Sequence, residues 1–444
     1  MTVLLLAIHE GWGQDKVRKY ASRQYDFSVR LLGLGGSVEN EGRAVNGQPH
    51  NASTLKVTVG ALGLYAEQVL DFNPNPSADN ANNSPTFSAG TPITLKISLP
   101  SSLLGLGNTV IIQPINNLRR TNYSNVGNSI SESSLLSLLN GDGEAEITIV
   151  PNVDFQGIRI RLTSILDVGA SMSLFHAYIL EDAILPCDEK DKAIDILSGV
   201  RAGAVDLANA TGTVNNPWNA IDGNPNTYTE INTGAQVLSE VYHTTIFQTA
   251  SRSNQVTQMI LQNPDGGLLD LGLLNDFTIQ PYLRTVPVGQ PLKASNLLSL
   301  RLLPGSSNKY ELIIPIEGSF DRIEIKMGGV ADVLNRLRIY EINRLPELPI
   351  INEIEEVDIC KGETVLLTAS APDGSTLKWY TQPEGGTVLW EGENYLTPPL
   401  DTSATYYVST RPIECLIESP RLPIRVNTLH KPGSPQLTLS NNEN

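Results

Sequence analysis

Cysteine is scarce: Cys187, Cys360 and Cys415 are the three in 444 residues. No two form a CxxC, and no histidine stands near them at zinc spacing. The five histidines are scattered, and HExxH, P-loop, GxSxG and Rossmann patterns are all missing. Gly33-Leu34-Gly35-Gly36 follows a strand-like run but opens no helical pattern, so it reads as a loop. No stretch is long and apolar enough to cross a bilayer as a helix. Only 18% of residues are charged, and the formal net charge is -16. An acidic chain repels phosphate backbones, which argues against nucleic acid as a partner; solubility is the plain reading of the acidity.

What the chain does have is Gly (36), Pro (28) and many Thr, Ser, Asn, Val and Ile. That balance favours β-structure with frequent turns, and the length favours about two to four domains. The organising stretch is Asn219-Ala220-Ile221-Asp222-Gly223-Asn224-Pro225-Asn226-Thr227-Tyr228-Thr229. Asp and Asn cap turns through their own side chains, Gly223 can take positive φ, and Pro225 fixes one φ. Its carboxylate, amide and carbonyl oxygens suit a hard cation. Ala44-Val45-Asn46-Gly47-Gln48-Pro49 echoes the pattern and leads to Ser53-Thr54.

The echo belongs to a long duplication. Val110-Ile111-Ile112-Gln113-Pro114 returns as Phe277-Thr278-Ile279-Gln280-Pro281. Ser134-Leu135-Leu136-Ser137-Leu138 returns as Asn296-Leu297-Leu298-Ser299-Leu300. Phe155-Gln156-Gly157-Ile158-Arg159-Ile160-Arg161-Leu162 returns as Phe320-Asp321-Arg322-Ile323-Glu324-Ile325-Lys326-Met327. The order is kept at a period of roughly 165 residues, which suits a whole domain. Apolar and charged residues alternate in the last pair, predicting strands with one buried and one wet face. The clusters at Leu103-Leu104-Gly105-Leu106 and Leu268-Leu269-Asp270-Leu271 read either as helical turns or as apolar loops plugging a sandwich.

The first 14 residues carry Val3-Leu4-Leu5-Leu6-Ala7-Ile8 without a basic flank and are expected to be either the stub of a longer export signal or simply an apolar leader. Residues 15–182 form the first copy. Residues 183–198 hold the charge run Asp188-Glu189-Lys190-Asp191-Lys192 and read as a solvated linker. Residues 199–344 form the second copy, and 345–350 a proline-stiffened linker. Residues 351–430 show short strands and turns about every 8–12 residues, predicting an immunoglobulin-like sandwich with Trp379 in its core. Residues 431–444 read as an extended tail. The expected fold is all-β: two tandem jelly-roll-like β-sandwiches followed by an immunoglobulin-like one.

Two resemblances sharpen this. Cys360-Lys361-Gly362-Glu363-Thr364-Val365, Trp379-Tyr380, Gly385-Gly386, Tyr395-Leu396-Thr397-Pro398, Thr405-Tyr406-Tyr407-Val408 and Cys415 resemble the small Ig-like modules of secreted and surface proteins from Bacteroidetes-type bacteria. The duplicated units are similar to regions found beside those modules. Ala220-Ile221-Asp222-Gly223-Asn224-Pro225-Asn226-Thr227 and the closing Leu337-Arg338-Ile339-Tyr340-Glu341-Ile342 resemble discoidin or galactose-binding-like jelly rolls, with Tyr228 where Trp is usual. The resemblance implies a structural calcium ion held by Asp222, Asn224 and Thr227, by side chain or carbonyl, and ligands bound at loops; the alternative is a plain Asx-Gly turn that fixes the first strand. Asn46 in place of Asp weakens the first copy as a cation site. Cys360 stands before the first strong strand of the third unit and Cys415 after its Tyr-Tyr strand. In an exported protein they are expected to close a long loop as a disulfide worth roughly 3–4 kcal/mol, the alternative being two buried thiols, with Cys187 left over, free or paired with another chain.

Trp218 and Tyr228 flank the loop and can either stack on sugar rings or pack beneath it. His176 and His243 sit in strand-like runs and read as satisfied strand residues. The acidic Glu355-Glu356-Val357-Asp358 run reads as solvated. The function expected is an exported, non-catalytic, adhesin-like surface protein that binds glycans or other surface ligands or acts as a spacer. The alternative is a set of accessory modules of a secreted carbohydrate-active enzyme.

Overall fold

The computed structural model describes residues 15–28, 30–31, 34–58, 64–100, 109–130, 141–163, 169–202, 212–233, 239–252, 255–264, 277–293, 300–303, 306, 308–328, 336–351, 356–413 and 415–429. The leader, the tail, the Leu-Gly clusters and the Ser134–Leu138 and Asn296–Ser299 segments lie outside them. The described chain is built almost wholly from strands and divides into two compact units. Residues 1–251 with 258–343 make one, and 252–257 with 344–444 the other.

In the first unit the duplication is a duplication of topology. The first copy lays Gly141–Ile149, Ile93–Leu99, Ala170–Ala183 and Ser53–Val57 side by side. The second copy repeats this order with Lys309–Pro315, Gln255–Gln262, Arg336–Pro346 and Thr229–Asn232. The facing sheets correspond in the same way. Arg23–Ser28, Tyr65–Asp71, Gly157–Thr163 and Thr109–Asn116 in the first copy match Ala193–Ala202, Ser239–Phe247, Arg322–Met327 and Phe277–Leu283 in the second. Equivalent residues fill each core: Phe155 and Phe320, Ile158 and Ile323, Ile160 and Ile325 are all fully buried. Period-two alternation aims the four isoleucines at the facing sheet, where each buried aliphatic group contributes about 1.5–3 kcal/mol.

The two copies are not beads on a string. Gly141–Ile149 of the first pairs with Ala193–Ala202 of the second, through Gly141↔Arg201, Asp142↔Val200 and Gly143↔Gly199. One 13-stranded sheet therefore runs through both copies. The expected linker over 183–198 is correspondingly shorter. A single helical turn, Cys187–Lys190, carries the start of the charge run, and the chain is strand again from Ala193. Asp195 and Ile196 are fully buried there. Pairing and packing against the first copy override the polar composition that suggested a solvated connector.

The second unit is a sandwich of two small sheets. One orders Ile350–Ile351, Leu366–Ser370 and Asn394–Leu396; the other orders Glu356–Cys360, Leu422–Leu429, Ala404–Pro412, Ser375–Tyr380 and Trp390–Glu391. Trp379 is fully buried at its centre and donates its indole N–H to the Gly392 carbonyl at 2.8 Å. The expected Cys360–Cys415 bridge is absent: Cys360 is free, while Cys415 and Cys187 are each disulfide-bonded. Register supplies the reason. Cys360 pairs with Leu429, beyond the Ala404 end of the central strand, whereas Cys415 follows its Pro412 end. Those ends stand about 27 Å apart at 3.3–3.4 Å per residue, and a disulfide needs Cα atoms within about 7 Å.

Candidate functional site

The two Asx-Gly loops fold alike. Each follows a 3-10 turn entered through a left-handed Asn, at Asn40 (φ 54) and Asn216 (φ 50). Ala44 and Ala220 plug the turns into their cores, and Gly47 (φ 71) and Gly223 (φ 72) turn the chain out. In the first copy Gln48 N–H donates to Asn46 Oδ1 at 2.9 Å; in the second Asn224 N–H donates to Asp222 Oδ1 at 2.8 Å. Thr227 Oγ1 donates to Asp222 Oδ2 at 2.7 Å and approaches the Asn224 carbonyl at 3.0 Å. Asn224 Oδ1 accepts the Asn226 N–H at 3.1 Å. Asp222, Asn224 and Thr227 thus converge, held by their own interlocking turns.

A fourth residue joins them. Glu341, 8% exposed, faces Asp222 and accepts the Gly223 N–H, and its Oε1 is buried without a hydrogen-bond partner. Burial, and after it the Asp222 carboxylate, push the Glu341 carboxyl up to about 7. An orphaned carboxylate oxygen beside a second carboxylate and loop carbonyls is a hard-donor set that fits a calcium ion. Sequence could have flagged it, since Glu341 falls in phase with the core residues Leu337 and Ile339. In the first copy the register that sets Thr229 against Ile339 sets Ser53 against Leu174. Two residues on, His176 stands where the second copy has Glu341.

The flanking aromatics have partners. Trp218 meets the His50 ring edge-on at 5.5 Å, and the Lys96 ammonium lies 5.4 Å from its centroid. It packs against the first copy's loop at the joint between copies. The Arg338 guanidinium lies 4.3 Å from the Tyr228 ring centroid, with Tyr340 at 5.5 Å. His243 is fully buried, with Nε2 2.9 Å from the Pro217 carbonyl oxygen, and burial lowers its pKa to about 4.

The polar face of the shared sheet holds a feature that sequence reading missed. Lys96 is fully buried and reaches Asp195 Oδ1 at 2.8 Å and Glu144 Oε2 at 3.1 Å. Arg18 bridges Asp195 Oδ2 and Glu146 Oε1, both at 2.8 Å, and Arg322 reaches Glu146 Oε2 at 2.7 Å. Three cations thus meet three carboxylates. Against the cost of burial, Lys96, His176 and Arg18 hold Asp195 far below the usual carboxylate range. Burial keeps His176 lowered and neutral. Glu146, His176 and Asp195 have the spacing of a metal triad, but both carboxylates are already neutralised by cations and no charge remains for a metal.

Next to this cluster the joint opens into a concavity of about 160 Å³. Its floor is Glu324, which holds Arg201 in a bidentate pair at 3.0 and 2.8 Å and accepts from Thr244 and Tyr282. Tyr242 donates to the Glu144 carbonyl at 2.8 Å, and Arg201 covers its ring at 4.0 Å. Burial, then Glu324, push the half-exposed Tyr282 hydroxyl up to about 12, so it stays a donor. Exposed Arg284 and Thr285 form the mouth.

Residues 346–429 match the family described as Ig-like domain, CHU_C associated. No curated protein sequence matches the chain. Among solved structures, the tandem CBM32-1 and CBM32-2 domains of Clostridium perfringens ZmpB are similar at 10% identity over 74% of this chain and 94% of that one, with a TM-score of 0.22. The same domains in complex with GalNAc give 10% identity over 72% and 91%, with a TM-score of 0.21. The adhesin domain of Epf from Streptococcus pyogenes gives 9% identity over 58% and 89%, with a TM-score of 0.18. Values this low leave the sandwich assignment of the first unit on its own strand orders. The chain is a doubled β-sandwich followed by a segment that matches an Ig-like module.

Proposed function

We propose that this is an exported, non-catalytic binding protein of a bacterial surface, whose paired sandwiches present polar sites to glycans or other surface ligands. The observation that carries the reading is the concavity at the joint: hydroxyl, guanidinium and carboxylate groups from five strands converge on a rigid floor, the chemistry that grips a polyol. The adhesin-like form of this reading and the form in which the modules serve a secreted carbohydrate-active enzyme share that chemistry. A glycan array with neutral and acidic polysaccharides tests the binding. Hydrolysis of any arrayed polymer, or binding to none, refutes it. Neighbouring reading frames separate the two forms, since an adjoining catalytic domain favours the enzyme accessory and further Ig-like repeats favour the adhesin. If both copies bind nothing, a spacer remains.

The Asp222 loop is proposed as a structural calcium site in the second copy alone, with Asp222, Glu341 and carbonyls of the 222–227 loop as ligands and Asn224 and Thr227 shaping them. Bound calcium would neutralise the Asp222–Glu341 repulsion and pin the loop to the closing strand. Calorimetric titration should find one site per chain, lost in Asp222→Ala and in Glu341→Gln and kept in Asn46→Ala. Two sites, or a site insensitive to Glu341→Gln, would refute the assignment.

A further inference from the structure

The charges around the concavity at the joint cancel. Arg201, Arg284 and Arg322 on its lining stand against Glu144, Glu146 and Glu324. The inner groups already have partners: Arg201 has Glu324, Arg322 has Glu146, and Glu144 has Lys96. Arg284 is exposed at the mouth, where water screens it. An ion entering this site leaves its hydration behind and meets no opposite charge in need of a partner. The hydroxyls direct their protons inward. Tyr282 and Thr244 donate to the Glu324 carboxylate at 3.2 and 3.1 Å, and Tyr242 donates to the Glu144 carbonyl at 2.8 Å. A hydroxyl has one proton and two lone pairs, so the half-exposed Tyr282 oxygen is left to accept. Arg201 has five N–H groups, gives two to Glu324, and keeps its side chain 37% exposed. An acceptor and a donor thus stand on the same lining. A carboxylate brings only acceptors and an ammonium only donors, whereas a sugar hydroxyl brings both.

We infer that the joint is a composite site, one per chain, for a single uncharged saccharide ring, whose hydroxyls donate to Tyr282 Oη and accept from the Arg201 guanidinium, with Thr285 at the rim. The inference rests on the glycan-binding reading and adds the site, its stoichiometry and the charge class of the ligand. Size agrees: about 160 Å³ is below the 300–1,000 Å³ usual for drug-sized ligands and suits one sugar ring. The site requires both copies. The first supplies Gly143 to Glu146, and the second supplies Arg201, Tyr242, Tyr282 and Glu324. The matching face of the first copy has no such floor. By the register of the repeat, Arg159 stands there in place of Glu324 and Ile115 in place of Tyr282. Its strand Arg23–Ser28 is also the edge of its sheet, whereas the matching Ala193–Ala202 has Gly141–Ile149 laid against it.

Calorimetry on the full chain tests it with uncharged galactobiose, cellobiose and maltose, anionic digalacturonate and the cationic glucosamine disaccharide. At least one uncharged sugar should bind at one site per chain, and both charged sugars should bind at least tenfold more weakly than it. Its affinity should move less than about twofold between about 0.01 and 1 M salt, which shortens the screening length from about 30 to 3 Å. Tyr282→Phe keeps the ring and removes the acceptor, so affinity should fall roughly three- to tenfold. Thr285→Trp changes an exposed position, so the melting temperature should hold while the filled mouth abolishes binding. Arg284→Ala should leave affinity within about threefold, since the ligand carries no charge for it to pair. A tenfold loss in Arg284→Ala, or tighter binding of either charged sugar, overturns the uncharged class. Binding that survives Thr285→Trp, or two sites per chain, overturns this site and leaves the binding function standing. No binding of any sugar overturns both readings.

Discussion

Replacing Asp195 by Asn tests the joint between copies more directly than any other change. The substitution keeps volume and removes one charge from a fully buried position. Three cations then face two carboxylates: Lys96, itself fully buried, keeps only Glu144, and Arg18 keeps only Glu146. Uncompensated buried charge costs about 3–5 kcal/mol. At about 2.1 cal/mol/K of unfolding entropy per residue, a unit of this size would lose roughly 4–7 °C of melting temperature. Calorimetry on the full chain reads the shift as that of the larger transition. Adding Lys96→Met restores the balance, two cations to two carboxylates, and should recover most of the loss, a coupling that a double-mutant cycle isolates. A cost below about 1 kcal/mol for Asp195→Asn, or a double variant that loses the sum of the single losses, would refute a tightly coupled buried cluster.

Gly143→Val should destabilise the unit by about 1–3 kcal/mol, because a Cβ there would sit 2.6 Å from Tyr242 Oη and 2.7 Å from Gly199 Cα; Gly42→Ala, with nothing within 4 Å, is the neutral control in the same melt. His243 is neutral when folded, with a pKa of about 4 against an ordinary 6.5. The unfolded chain takes up the proton first, so stability is full above pH 6.5 and falls towards pH 4, by up to roughly 3 kcal/mol, before levelling off. Urea midpoints at pH 7 and 4.5 should differ less in His243→Gln than in the parent. Thiol titration of the denatured, unreduced chain should count one thiol, lost in Cys360→Ser; a count of three, or a thiol that persists in that variant, would contradict the covalent structure.

Much of the fold is legible in sequence because hydrophobic alternation is local. Ile158, Ile160 and Leu162 announce a strand and its buried face without help from the rest of the chain. The joint is not legible, because it depends on partners far apart in sequence. Lys96 in Ile93-Thr94-Leu95-Lys96-Ile97 looks like a wet-face lysine, and only the arrival of Asp195, 99 residues later, makes it an interior one. The same holds for Arg322 and Glu324, which alternation assigns to solvent and the shared sheet buries. For the cysteines, the number of residues between them says nothing about which end of a strand each reaches; strand register does. The Asp222 loop was readable from its turn residues. Its companion Glu341 needed the further step of noticing an acid in phase with core aliphatics.

The pairing of Gly141–Gly143 with Gly199–Arg201 has a practical corollary for anyone who trims the gene. Cutting between the repeats strips the Ala193–Ala202 strand of its neighbour, leaving a row of open amides and carbonyls beside the stranded carboxylate of Asp195. Such an edge recruits whatever backbone it meets, so an isolated second repeat is expected to self-associate more than the intact pair does.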